Sequence, residues 1–127
     1  MHAVTTDADR ELYDRAVAIA KRAYAPYSSF NVGAAVRARD GRMFEGVNVE
    51  NAAYPLGVCA EKSALTTAVT EGYKPGDLEA IAITASPCGG CRQWLAELKL
   101  DRVIYVNNAG DVVTATPAEL LPDTFVL

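Results

Sequence analysis

The sequence has a single histidine, His2, and only three cysteines, Cys59, Cys88 and Cys91. So few thiols, and an odd number of them, argue against a disulfide framework and for metal or reactive-thiol chemistry in a reducing compartment. No apolar run approaches the ~20 residues of a membrane-spanning helix, and Met1 to Asp9 lacks a basic-then-apolar leader. A cytoplasmic protein without a membrane partner is expected. Basic runs are also missing: nothing is denser than Lys21-Arg22, and 12 Lys and Arg stand against 16 Asp and Glu for a net charge of −4. That balance argues against a polymeric nucleic-acid partner, whose phosphates need a basic surface.

What is present is an ordinary globular composition. Half of the 127 residues are hydrophobic, with nine Gly and six Pro, so residues 1–127 are expected to form one domain that buries roughly two thirds of its unfolded surface. Leu12, Ala16, Ile19, Ala20 and Ala23 recur at helical spacing and predict a helix from Asp7 to about Tyr24, capped by Thr6 and stopped before Pro26. Alternation over 30–39 and 42–47 around Asp40-Gly41 predicts a hairpin. Residues 48–58 read as an irregular loop. A helix follows from Cys59 to Glu71, with Ala60, Ala64, Leu65, Ala68 and Val69 buried and Gly72 ending it. The run 78–85 predicts a central strand, Gly89 starts a third helix, 103–106 and 111–115 are strands, and Thr116-Pro117 opens a short last helix.

The chemistry-bearing residues fall in two stretches, Cys59-Ala60-Glu61 and Ser86-Pro87-Cys88-Gly89-Gly90-Cys91-Arg92-Gln93. Structural zinc sites are usually closed by four protein ligands, whereas catalytic ones keep three and leave a position for water. Three cysteines, with the lone His2 read as a bystander at a fraying terminus, point to an open catalytic zinc site, one ion per chain. Cys59 and the Cys88/Cys91 pair lie at predicted helix starts, where the partial positive charge of the helix favours thiolates. Three thiolates and one zinc sum to −1, and Lys62 is the nearest compensating cation. Glu61, two residues after Cys59, is placed to carry protons beside the metal without ligating it. Two other uses of these residues stay open here: a closed structural zinc module with Glu61 or a partner as fourth ligand, and a redox-active Cys88/Cys91 pair.

The two stretches resemble the C-x-E and P-C-x-x-C signature of zinc nucleoside deaminases. Four further segments resemble the small cytidine deaminases in order: Tyr24-Ala25-Pro26-Tyr27-Ser28, Phe30-Asn31-Val32-Gly33-Ala34, 46–54 (Gly-Val-Asn-Val-Glu-Asn-Ala-Ala-Tyr) and 120–125 (Leu-Leu-Pro-Asp-Thr-Phe). The resemblance implies a three-layer α/β/α sandwich with a five-stranded mixed sheet, and a homotetramer with its sites at subunit contacts. It implies zinc on Cys59, Cys88 and Cys91, with Glu61 as catalytic proton shuttle. It further implies Phe30 near the base, Asn48 and Glu50 on the ribose hydroxyls, the Ala60 backbone N–H on the pyrimidine carbonyl, and Tyr54 and Phe125 supplied by a neighbouring subunit. Two departures stand out: Lys62 where arginine is frequent, and Asp123 where glycine is common. The implied reaction is hydrolytic deamination of cytidine and deoxycytidine in pyrimidine salvage. The alternative is a modified aminopyrimidine nucleoside such as blasticidin S. A polynucleotide editor fits less well, since such enzymes usually carry histidine in place of Cys59 and a basic surface.

Overall fold

The alternation of side chains along four central strands decides which helix covers which face of the sheet. The structure, a computed structural model, describes residues 2–127. In chain order it contains β1 (His2–Ala3), α1 (Asp7–Ile19), a 3₁₀ turn (Ala20–Arg22), β2 (Gly33–Ala38) and β3 (Met43–Val47). A second 3₁₀ turn (Tyr54–Leu56) precedes α2 (Ala60–Thr70), β4 (Leu78–Ile83), α3 (Gly89–Glu97), β5 (Arg102–Val106), β6 (Val112–Ala115) and α4 (Pro117–Leu120). The sheet order is β1-β6-β5-β4-β2-β3. Only β4 and β5 run parallel, and α3 is the crossover that a parallel pair requires.

On one face, Ala35, Ala80, Ala82 and Ile104 pack beneath Leu12 and Ala16 of α1. On the other, Val36, Ile81, Ile83 and Val103 meet Ala64, Leu65 and Ala68 of α2, Leu95 of α3 and Leu120 of α4. This is the expected three-layer α/β/α sandwich, with six strands in place of five. The extra strand is β1, where His2 pairs with Thr114 and Ala3 with Val113; two residues are too short to show a period. His2 is therefore part of a sheet edge and not a frayed end. The first helix also differs, closing at Ile19 and tightening into the 3₁₀ turn before Pro26. Val69, expected in the core, is exposed in the last turn of α2, where Gly72 at φ 100° turns the chain away. No helix among the described residues is long and apolar enough to cross a membrane.

Two glycines let the helices come close. A Cβ on Gly46 of β3 would lie 2.4 Å from the Ala64 nitrogen and 2.6 Å from the Ala60 oxygen, and one on Gly33 of β2 would lie 2.0 Å from the Ala16 oxygen. These contacts are with backbone, which cannot swing aside. Gly46 thereby fixes the start of α2, the stretch that carries Cys59 and Glu61.

Under α1 the apolar layer gives way to four charges. The buried Asp9 carboxylate accepts from Arg37 (2.7 Å) and from Arg102 (2.8 and 3.0 Å), and Glu79 accepts from both arginines at 2.9 Å. Arg37 and Arg102 lie on the α1 face by alternation. Glu79 reaches it because the β2–β4 register shifts there: Arg37 pairs with Ala80 and Ala38 with Leu78. Such a bulge re-aims a side chain while bending and twisting the strand locally. Burial alone would push the Asp9 carboxyl up, but the hydrogen bonds and charges of Arg102 and Arg37 outweigh it and hold it below its ordinary value.

Two stability predictions follow from this packing. Gly46→Ala should cost at least about 2 kcal/mol in urea unfolding, since overpacking against backbone has no cheap relief; an unchanged midpoint would remove the close approach as a constraint. Asp9→Asn should cost about 3 kcal/mol at pH 7, because it removes the buried partner of two half-buried arginines and leaves them facing Glu79 alone. A carboxyl held low in the folded state stabilises fully above its unfolded value of ~3.9 and loses that contribution as pH falls through the lower folded value. The wild-type advantage over Asp9→Asn should thus be present at pH 6 and shrink below pH 4, and a gap independent of pH would contradict the ion-pair origin.

Candidate metal centre

Two helices begin beside each other, and each begins with a cysteine. Cys59 is the N-cap of α2 and Cys88 the N-cap of α3, both in extended conformation and neither with a side-chain cap hydrogen bond. A thiol is a poor cap, but at that position a thiolate lies against the positive end of the helix. Cys91, one turn into α3, is buried. The three Sγ atoms lie within 4.8 Å of one another, and they form the one such metal-capable group among the described residues. A tetrahedral zinc with bonds of ~2.3 Å sets its sulfurs about 3.8 Å apart, so the donor set and spacing fit that ion.

The protonation of the trio supports this fit. Cys59 is drawn down to about 6, first because the Cys91 thiol hydrogen-bonds to it and further by the charge of Lys62, against burial and Glu61. Cys91 moves up in turn: it donates to Cys59, is buried, and faces the negative charge of Glu61 and the other sulfurs. Cys59 and Cys91 are thus driven in opposite directions, a conflict that a dication bound between them would relieve. Glu61, in the first turn of α2, is only 4% exposed. Burial pushes its carboxyl up, opposed by its own backbone N–H, the Cys91 thiol and the charge of Lys62. A carboxyl poised upward beside a metal-capable trio is suited to carrying a proton.

A cavity of about 390 Å³ opens beside Cys59 and is lined by Tyr27, Ser28, Asn48, Glu50 and Tyr54 among others. A larger one of about 680 Å³ lies between α3, α4 and the carboxy-terminal residues, away from the thiols. Asn48 and Glu50 thus reach the pocket, but both also tie the chain together. Asn48 Oδ1 accepts from the Val32 N–H at 2.8 Å and its Nδ2 donates to the Phe30 carbonyl at 2.9 Å. Glu50 Oε1 accepts from the N–H groups of Tyr27 (2.9 Å) and Ser28 (3.1 Å), and Oε2 accepts from the Ser28 hydroxyl. The Ser28 hydroxyl foremost, with these N–H groups, holds the Glu50 carboxyl below its usual value despite some desolvation. Each side chain keeps spare capacity, one Nδ2 proton on Asn48 and unused lone pairs on Glu50.

Ser28 was not singled out in the sequence, although it closes the Tyr24–Ser28 segment. Its hydroxyl also accepts from the Phe30 N–H at 3.0 Å, across Ser29 at φ 59°, and so presents Phe30 outward at 59% exposure. Tyr54 is 77% exposed, edge-on to Tyr27 at 6.3 Å. Phe125 is 69% exposed, with its carbonyl accepting from Gln93 at 3.0 Å. Ala60 is buried at the first helical position of α2, and Lys62 is half-buried one turn along. Phe30, Ala60 and Phe125 are not on the wall of the 390 Å³ cavity. Arg92, also not foreseen, follows Cys91 and is bonded to the loop that carries Cys88.

Known proteins share this fold and much of this sequence. The sequence profile of the "Cytidine and deoxycytidylate deaminase zinc-binding region" matches residues 6–107. A curated cytidine deaminase of Halalkalibacterium halodurans is 44% identical over 126 residues, which cover 92% of this chain and 94% of that protein. The crystal structure of cytidine deaminase from Burkholderia pseudomallei superposes with a TM-score of 0.86 at 44% identity, covering 95% of this chain and all of that one. That of cytidine deaminase from Mycobacterium tuberculosis superposes at 0.80 with 35% identity, covering 97% and 100%.

Proposed function

The chain belongs to the cytidine and deoxycytidylate deaminase family, and we propose that its 127 residues form one deaminase domain acting on free nucleosides. It is a zinc-dependent hydrolase that converts cytidine and deoxycytidine, with one water, to uridine or deoxyuridine and ammonia. The observation that carries this reading is a buried carboxyl, Glu61, at the same helix start as one of three clustered thiols. Cys59, Cys88 and Cys91 would hold zinc. When bound, zinc lowers the pKa of water from about 15.7 toward ~7 and neutralises thiolate charge.

The chain's own residues supply the rest. Glu61 takes a proton from the water that attacks the ring carbon bearing the amino group and returns it to the ring nitrogen N3. It then moves a second proton, from the hydroxyl newly formed on that carbon, to the departing amine, so that the carbon–nitrogen bond breaks, ammonia leaves and the carbonyl forms. Asn48 donates to, and Glu50 accepts from, the ribose hydroxyls with the capacity left over from their bonds within the chain. The Ala60 N–H, among the first helical N–H groups that lack an intrahelical partner, reads the pyrimidine carbonyl. Phe30 offers an aromatic face to the base, and Lys62 offsets thiolate charge. Tyr54 and Phe125, both largely exposed, are read as completing the site of a neighbouring subunit in a homotetramer. Three cysteines that must stay reduced suit the cytoplasm.

Two experiments test this. Zinc-quantified protein mixed with cytidine should deplete the cytidine ultraviolet band, and Glu61→Ala should lower turnover by about 10²–10⁴-fold while still holding zinc. Near-normal turnover in that variant would sink the proton-shuttle role. Sedimentation equilibrium should give four times the 13.5 kDa chain mass. A monomeric Phe125→Ala variant with full activity would dispose of the shared site.

A further inference from the structure

Cys88 is the ligand with the least local support. It is exposed, caps α3 without a side-chain hydrogen bond, and is followed by Gly89 and Gly90, the residues that restrain a backbone least. A Cβ on Gly89 would meet nothing within 4 Å. Ordering this segment therefore falls to something outside it.

We infer that Arg92 is the positioning residue of the metal loop: its guanidinium clamps the segment carrying Cys88 to the carboxy-terminal helix and so sets how firmly the thiolates keep their zinc. The inference rests on the zinc reading above. Arg92 Nε donates to the carbonyl of the buried Pro87, the residue before Cys88, at 2.8 Å. One terminal nitrogen donates to the Leu120 carbonyl at 3.0 Å, and the other lies 3.4 Å from the Ser86 hydroxyl. The Arg92 backbone N–H closes the grip on the Cys88 carbonyl at 3.0 Å. Three successive residues of the loop, 86 to 88, are thus held by one side chain and its own backbone.

The far end of the clamp is fixed. Leu120 is buried in the main core, and α4 is locked at its start by reciprocal bonds between Thr116 and Glu119 at 2.9 and 3.1 Å. Its last carbonyls have no intrahelical donor, so a cation there is favoured by charge as well as by hydrogen bonding. A planar guanidinium reaches Pro87 and Leu120 at once, which the single nitrogen of lysine cannot match. The carboxy-terminal segment, which supplies no metal ligand, thereby enters the metal site. Groups that orient metal ligands typically change metal affinity 10- to 100-fold when removed.

The test is the rate at which zinc-loaded protein surrenders its metal to excess chromophoric chelator, compared for wild type, Arg92→Ala and Arg92→Lys, with urea unfolding of each measured alongside. Release should be about 10- to 100-fold faster in Arg92→Ala and intermediate in Arg92→Lys, with turnover per bound zinc falling less than zinc retention. If Arg92→Ala fails to fold, Arg92→Lys carries the test alone: faster release supports the clamp. Release at the wild-type rate from a folded variant, whatever its urea midpoint, overturns it. A wild-type chain that binds no zinc overturns the zinc reading itself and the clamp with it, an outcome distinct from equal release rates.

Discussion

Three sulfurs packed within 4.8 Å of one another impose the constraint on which the rest of the structure depends. At an effective dielectric constant of 20, two unit charges at that distance repel by about 3.5 kcal/mol, so three thiolates cost about 10 kcal/mol. That is comparable with the entire stability of a typical domain. The protein meets it with two helix N-termini, the charge of Lys62 beside Cys59 and a donor set suited to a dication. The Cys91 thiol beside Cys59 draws Cys59 down and is itself pushed up, a division that a bound dication would remove. Metal binding and the final geometry of both helix starts are on this account one event.

The sheet topology brings the two starts together. β3 and β4 each run antiparallel to β2, so they point the same way, and the helices that follow them, α2 and α3, begin at the same end of the sheet. Ligand sites of open α/β sheets lie at the carboxyl ends of the strands for this reason. Gly46 sets the depth of α2 against β3. On the opposite face the Asp9 cluster ties α1 to β2, β4 and β5, three strands that also carry the second layer. The metal site is held from both sides of a sheet that supplies none of its three cysteines.

Much of this was legible in the sequence, where information is local. Caps, turns and periodicity located the four helices and five of the six strands, and the spacing of Cys59, Glu61, Cys88 and Cys91 identified the trio and its carboxyl. What stayed hidden depends on distance or on short length. β1 is two residues long. The Asp9–Arg102 pair spans 93 positions, and Glu79 joins it only through a bulge that strict alternation does not contain. The resemblance marks Asn48 and Glu50 as ligands for a sugar. Their bonds to Phe30, Val32, Tyr27 and Ser28 cross 16 to 23 positions and leave no linear trace. Arg92 stood within the recognised motif, but its partner Leu120 lies 28 residues away.

The two carboxyls of the site are driven in opposite directions, and the proposed chemistry needs that divergence. Glu50 is held low by the Ser28 hydroxyl and by backbone N–H groups, so it remains an ionised acceptor at neutral pH, already oriented before any hydroxyl arrives. Glu61 is pushed up by burial, toward the range in which a group both takes and returns a proton. Titratable groups pushed apart by their surroundings are a mark of acid–base sites, and this divergence supports the proposed roles. Exchanging the roles would fail on both counts. A carboxyl held low by backbone donors gives up its proton too readily to store one, and a buried one that tends to neutrality is a weak acceptor for a sugar. Composition alone does not separate these two glutamates. The proposed assignment is supported by Glu50 lying in a loop rich in N–H donors, and Glu61 in the first turn of a helix pressed against the sheet by Gly46.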